Sequence, residues 1–216
     1  MLYDAIINDH GLPHDPLKAL VVPRPIGWIS SLSPAGVVNL APYSYFNVIG
    51  ANPGYVMFSS GGYKHSVSNI AATKEFVCNL ATWDLREQMN LTSAAVGDDV
   101  DELALVGLTP APSRFVKPPR VAESPAALEC VYHQTIELPS HDPEEPSVVI
   151  IGKVVGVYID DAYVDANGLV DTAAMKPLAR CGYMQYAAIT ELFDMRRPTI
   201  AQAMAASASR SGSAVG

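Results

Sequence analysis

The stretch Ile26-Gly27-Trp28-Ile29-Ser30-Ser31-Leu32-Ser33-Pro34-Ala35-Gly36-Val37-Val38-Asn39-Leu40 reads as two β-rich runs around a turn. Pro34 and Gly36 occupy the second and fourth turn positions, where a fixed φ and a free φ are favoured, so residues 26–32 and 37–40 are expected to form a hairpin. Upstream, residues 19–22 are also β-rich, and residues 1–17 form an irregular arm with Gly11, Pro13 and Pro16. Downstream, strands are predicted over 54–60, 75–81, 126–138 and 147–160, the last two separated by an acidic loop at 139–146. In residues 75–81, Phe76, Cys78 and Leu80 share one face by the two-residue strand period.

Short helices are predicted at 66–73, 83–94 and 99–106. Residues 110–125 carry five prolines and are expected to be an extended surface connection. Asn167-Gly168 marks a turn, and the Ala/Ser/Gly-rich residues 199–216 read as a disordered tail. Many strands with few peripheral helices indicate a mainly β barrel over residues 18–198. No strand and ten-residue helix alternate regularly, and no Gly-x-Gly-x-x-Gly follows a strand, which disfavours a dinucleotide-binding α/β sheet.

Composition narrows the function. The 216 residues carry 14 Lys plus Arg against 22 Asp plus Glu, a net charge of −8 that matches a phosphate backbone poorly, so nucleic acid is not expected as a partner. Only 17% of residues are charged, against about 25% in ordinary domains, which suggests that further surface is covered in an oligomer. No run of about 18 apolar residues spans a membrane. The first residues lack a basic and then apolar leader, so a cytoplasmic protein is expected. Cys78, Cys130 and Cys181 lie too far apart for a metal site or a disulfide framework and read as core residues. Catalytic triads, Walker loops and zinc-protease motifs are missing, so neither a protein nucleophile nor a catalytic metal is expected.

What remains is a set of hydroxyl, amide and glycine residues at strand ends. Ser59-Ser60-Gly61-Gly62 ends one strand and leads through Lys64 to a helix whose N-cap is read as Ser66. Free N–H groups there, with hydroxyls and Lys64, suit a phosphate; an ordinary glycine turn and capped helix would give the same pattern. Ser30, Ser31 and Asn47 stand near Trp28, Tyr43 and Phe46 in sequence, the mixture of flat apolar faces and polar edges a heteroaromatic ligand needs, although strand-end serines and core aromatics also read this way.

Residues 23–31 (Pro-Arg-Pro-Ile-Gly-Trp-Ile-Ser-Ser) and 36–47 (Gly-Val-Val-Asn-Leu-Ala-Pro-Tyr-Ser-Tyr-Phe-Asn) resemble the flavin reductase-like family. So do Lys64–Ile70, Thr73–Leu80, Pro118–Pro125, Lys176–Gly182 and Tyr186, and the resemblance covers roughly residues 18 to 198. It implies an FMN-binding split β-barrel with short peripheral helices, usually a homodimer. It further implies NADH or NADPH as electron donor and an onward acceptor or partner monooxygenase. An FMN-holding electron carrier, or a ligand-binding barrel without catalysis, would need a similar framework. By the resemblance, Trp28, Ser30 and Ser31 line the flavin ring, and Ala41, Pro42, Tyr43, Ser44 and Asn47 its edge. Ser59 and Ser60 then approach the ribityl chain, Lys64, Ser66 and Asn69 hold the phosphate, and Arg180 reaches the flavin or its phosphate. The family often has an acidic residue and Thr after the lysine; here His65 and Ser66 follow, which keeps a hydroxyl and adds an imidazole.

Overall fold

The computed structural model describes residues 1–141 and 146–211, the last six of these by their helical backbone alone. Strands β1 (Arg24–Pro25), β2 (Gly27–Leu32), β3 (Val38–Tyr43), β4 (Phe46–Ala51) and β5 (Gly54–Gly61) are followed by helix α2 (His65–Thr73) and β6 (Glu75–Leu80). A short helix α1 (Leu17–Leu20) precedes them. It stands where a strand over 19–22 is expected, and it is one turn with no buried residue, so neither β propensity nor packing decides its form.

A seven-stranded antiparallel sheet runs β3-β2-β6-β9-β10-β5-β4, using the long strands β9 (Ala126–Leu138) and β10 (Ser147–Ile159). The expected hairpin is present, with Leu32 opposite Val38 and Gly27 opposite Tyr43. The sheet curls until its ends meet through side chains: the rings of Tyr43 on β3 and Phe58 on β5 lie 4.6 Å apart. Among the described residues β3 and β4 share no ladder, so the barrel is split there.

Ile29, Val56, Phe58, Phe76, Cys78, Cys130, Val148 and Ile150 fill the interior, and Val67 and Ile70 of α2 close it. Gly152 is required there, because a Cβ would lie 2.2 Å from the Phe76 ring. The opposite face of β2 is buried too. Trp28 packs with Leu40, Met89, Leu103, Val121 and Leu178 beneath α3 (Arg86–Leu91), α4 (Glu102–Leu105) and the chain's later strands. Cys78 and Cys130 are buried and Cys181 half-buried, all three as free thiols.

Several boundaries differ from those expected. Residues 83–94 divide into a 3-10 turn (Trp83–Leu85) and α3, and residues 99–106 hold only α4, capped by the Asp101 side chain accepting from Ala104 N. The proline-rich connection is no simple surface strap. Its strands β7 (Pro110–Ala111) and β8 (Arg120–Val121) pair, Val116 and Val121 are buried, and its backbone is fixed by carboxylates. Glu129 accepts from Arg114 N and Phe115 N, and Glu75 from Lys117 N. Late in the chain come α5 (Thr172–Met175), β11 (Leu178–Arg180) and β12 (Tyr186–Ala188). Ile200–Ser211 form helix α6 where a disordered tail is expected, in keeping with alanine's helix propensity. Residues 212–216 of that tail and 142–145 of the acidic loop lie outside the described residues. No described helix is long and apolar enough to cross a membrane.

Candidate functional site

Two adjoining clefts run along the outer end of β3, sharing Pro42 and Ser93. The smaller, about 320 Å³, is lined by Asn39, Ala41, Tyr43, Lys64, Ser66 and Glu102 among others. Its end wall is the start of α2. This helix begins at His65 with Lys64 in the extended N-cap position, two residues earlier than the expected cap at Ser66. No side chain caps it, so the first-turn N–H groups lack the partner a capping side chain would supply, and the helix end carries partial positive charge. His65 Nε2 meets Asp98 Oδ1 at 2.8 Å beside this end.

Ser66 and Asn69 are turned inward. Ser66 Oγ donates to Asn39 Oδ1 at 2.7 Å and Ser31 Oγ to the same oxygen at 3.2 Å, while Asn69 Nδ2 donates to Ser31 Oγ. Asn39 Nδ2 in turn donates to Glu102 Oε2, which also accepts Leu40 N at 2.6 Å. Ser31 and Asn69 therefore stand behind the cleft wall as parts of a sealed polar network. Burial pushes the Glu102 carboxyl above the usual carboxylate range, against the lowering effect of its Leu40 and Asn39 donors. Burial likewise pushes the Tyr43 hydroxyl up, against the Ser66 and Ser60 hydroxyls that face it, so it stays protonated at neutral pH. Ser60 Oγ is buried with no hydrogen-bond partner of good geometry, a rare condition for a hydroxyl.

The larger cleft, about 730 Å³, has a floor of Ile26, Met89 and Leu178, and Pro42 and Ser44 form one edge. Trp83 and Arg86 stand on one wall, Arg180 and Tyr186 on another. The Arg86 guanidinium covers the Trp83 ring at 4.3 Å, and Arg180 covers Tyr186 at 4.4 Å.

The expected residues thus fall into three groups. Ala41, Pro42, Tyr43, Ser44, Lys64, Ser66 and Arg180 line the clefts. Ser31, Asn69 and Ser60 lie directly behind them. Trp28, Ser30, Ser59 and Asn47 are not brought to either cleft. Trp28 is fully buried and donates to Thr92 Oγ1, and Ser30 is fully buried with its hydroxyl on Pro119 O. Ser59 is half-buried on β5, and Asn47 is exposed on β4. Sequence reasoning missed Glu102, Trp83 and Arg86. Glu102 gives no local signal, whereas Trp83 and Arg86, three residues apart at the start of a helical run, carry the spacing of a stacked pair.

Comparison with known proteins agrees with this architecture. The model of the flavin reductase like domain matches residues 19–177. An uncharacterized protein of Aquifex aeolicus (strain VF5) is 36% identical over 172 residues, 77% of this chain and 85% of its own. Among solved structures, nitrilotriacetate monooxygenase component B from Bacillus cereus superposes with a TM-score of 0.80 at 29% identity, covering 90% of this chain and 98% of that one. The 2-nitrobenzoate 2-nitroreductase of Pseudomonas fluorescens does so with a TM-score of 0.76 at 27% identity, covering 85% and 89%. With its split barrel, its paired clefts along β3 and a domain match over most of its length, the chain belongs to the flavin reductase-like family.

Proposed function

We propose that this protein is an FMN-dependent oxidoreductase that takes hydride from NADH or NADPH and passes electrons to an acceptor or a partner monooxygenase. The observation that carries the reading is the uncapped first turn of α2 beside Lys64, opening into a cleft along β3. Backbone N–H groups at a helix start and a lysine are the donors a phosphate needs. The protonated Tyr43 hydroxyl on the cleft wall, with the Ser60 hydroxyl facing it from behind, supplies one more group suited to a polyhydroxyl chain. These residues fit FMN, with one adjustment to the expected roles: Ser66 gives its hydroxyl proton to Asn39, so it would serve phosphate through its backbone N–H.

FMN supplies the hydride chemistry when bound, and the chain need only bind and orient. Lys64 and the α2 N-terminus hold the phosphate end. Ala41 and Pro42 on β3 and Ser44 just after it form one wall, and Arg180 brings positive charge where a reduced ring would carry negative charge. Component B of a nitrilotriacetate monooxygenase, 29% identical, supports a partner oxygenase as the electron sink. A homodimer is part of the proposal, because Tyr45, Val48 and Ile49 expose apolar surface around edge strand β4. The test is an absorbance titration with FMN followed by anaerobic NADH and NADPH. Bleaching of bound flavin is expected; failure to bind FMN would overturn the proposal. Tight binding without bleaching would favour an electron carrier.

A further inference from the structure

The loop between α3 and α4 forms part of the smaller cleft's lining, yet little holds it there. Residues 94–96 line the cleft, as do residues 63–66 leading into α2. Of residues 94–99, Val96 is half-buried and the rest are exposed. Their backbone bonds reach only near neighbours, from Ala94 N to Leu91 O and from Val100 N to Gly97 O. The two ends of the loop are fixed. Thr92 is buried and accepts from Trp28 Nε1, and Asp101 caps α4 by accepting from Ala104 N. Between these ends, among the described residues, a single polar contact ties the loop to a distant part of the chain: His65 Nε2 meets Asp98 Oδ1 at 2.8 Å.

The helix on the other side of this contact is anchored. His65 opens α2, whose Val67 and Ile70 are buried in the barrel and whose Ser66 is bonded to Asn39. The contact therefore joins a lightly held strip of the cleft lining to a fixed one. The Asp98 side chain is 94% exposed, so water competes for it and the contact is weak and readily remade. A buried pair would seal the lining, whereas an exposed one lets it open and close. We propose that His65 and Asp98 form a latch that holds loop 94–99 against the α2 end of the cleft, and that its opening sets how fast a bound ligand leaves. That the ligand is a flavin rests on the reading above; the latch itself does not. Asp98 also carries negative charge close to the end given to the phosphate, and charge alone would drive FMN out, so the two effects have opposite signs.

The test measures ligand release and loop opening separately. Riboflavin has no phosphate and so reports the latch without the charge. Asp98→Ala should speed riboflavin release about threefold in stopped-flow fluorescence, the scale of an exposed ion pair, and Asp98→Asn, which keeps an acceptor oxygen, should speed it less. Slower FMN release with unchanged riboflavin release would overturn the latch, because Asp98 would then act by charge alone. Cleavage of the ligand-free protein by elastase within residues 94–96, followed by mass spectrometry, reads the open loop directly. It should be about threefold faster in Asp98→Ala, and no faster again in the double variant His65→Ala/Asp98→Ala, since the two side chains act as one contact. Unchanged cleavage in Asp98→Ala, or additive effects of the two substitutions, would overturn the latch. Cleavage needs no ligand, so if no flavin binds, the flavin reading falls and cleavage alone decides the latch.

Discussion

The two clefts share a wall and differ in how their polar groups are committed. In the smaller, Ser66, Ser31, Asn69 and Asn39 are bonded to one another and to Glu102, so most of the polarity at its back is already satisfied. In the larger, the guanidiniums of Arg86 and Arg180 are stacked and oriented but meet little negative charge. Polar residue types alone do not mark a ligand site; what marks it is donor capacity left over after the fold has taken its share. By that measure, the smaller cleft offers the α2 N–H groups and Lys64, and the larger offers two arginines.

The largest expected effect comes from breaking the sealed side. Asn39→Ala would leave the Glu102 carboxylate short of a donor and two serine hydroxyls without their acceptor. A loss of about 2–4 kcal/mol in urea unfolding is expected, the cost of stranding buried polar groups. A loss below about 1 kcal/mol would mean that water replaces the amide and that the side is not sealed. Next comes Lys64→Ala, which should weaken FMN about tenfold and leave riboflavin unchanged, read by flavin fluorescence. Equal weakening of both flavins would remove Lys64 from the phosphate end.

Glu102→Gln sharpens the comparison through pH. The native carboxyl titrates above its unfolded value because it is buried, so between the two values the native state holds more protons than the unfolded state. Stability therefore falls as pH rises through that window and stays reduced above it. The glutamine variant lacks this loss and should gain on the wild type as pH rises, in thermal melts from about pH 4 to about pH 7. A constant gap would show that the carboxyl is not perturbed. The smallest effect belongs to the open side: Arg86→Ala should change unfolding free energy by no more than about 0.5 kcal/mol. A larger loss would make that arginine part of the scaffold.

Local pattern makes much of the barrel legible in the amino-acid sequence. The β2–β3 hairpin follows from its turn chemistry, and α2 from the serine and glycine residues ahead of an apolar run. Strand β4 is not legible, because its outward residues Val48 and Ile49 are apolar and exposed, which erases the polar alternation of a half-buried strand. Ser30 and Trp28 stand in a run that resembles flavin-binding sequences, yet both are fully buried and bonded within the protein. Asn39 and Glu102 lie 63 residues apart and meet only because α4 packs on β3, so no local spacing could pair them.

The central claim is that α2 and Lys64 hold the phosphate of FMN, and the most direct measurement is the affinity of the wild-type protein for FMN against riboflavin. The account predicts FMN binding at least about tenfold tighter, the value of one or two charge-assisted contacts. Equal affinity for the two flavins would contradict it, because the end of the cleft would then recognise no phosphate.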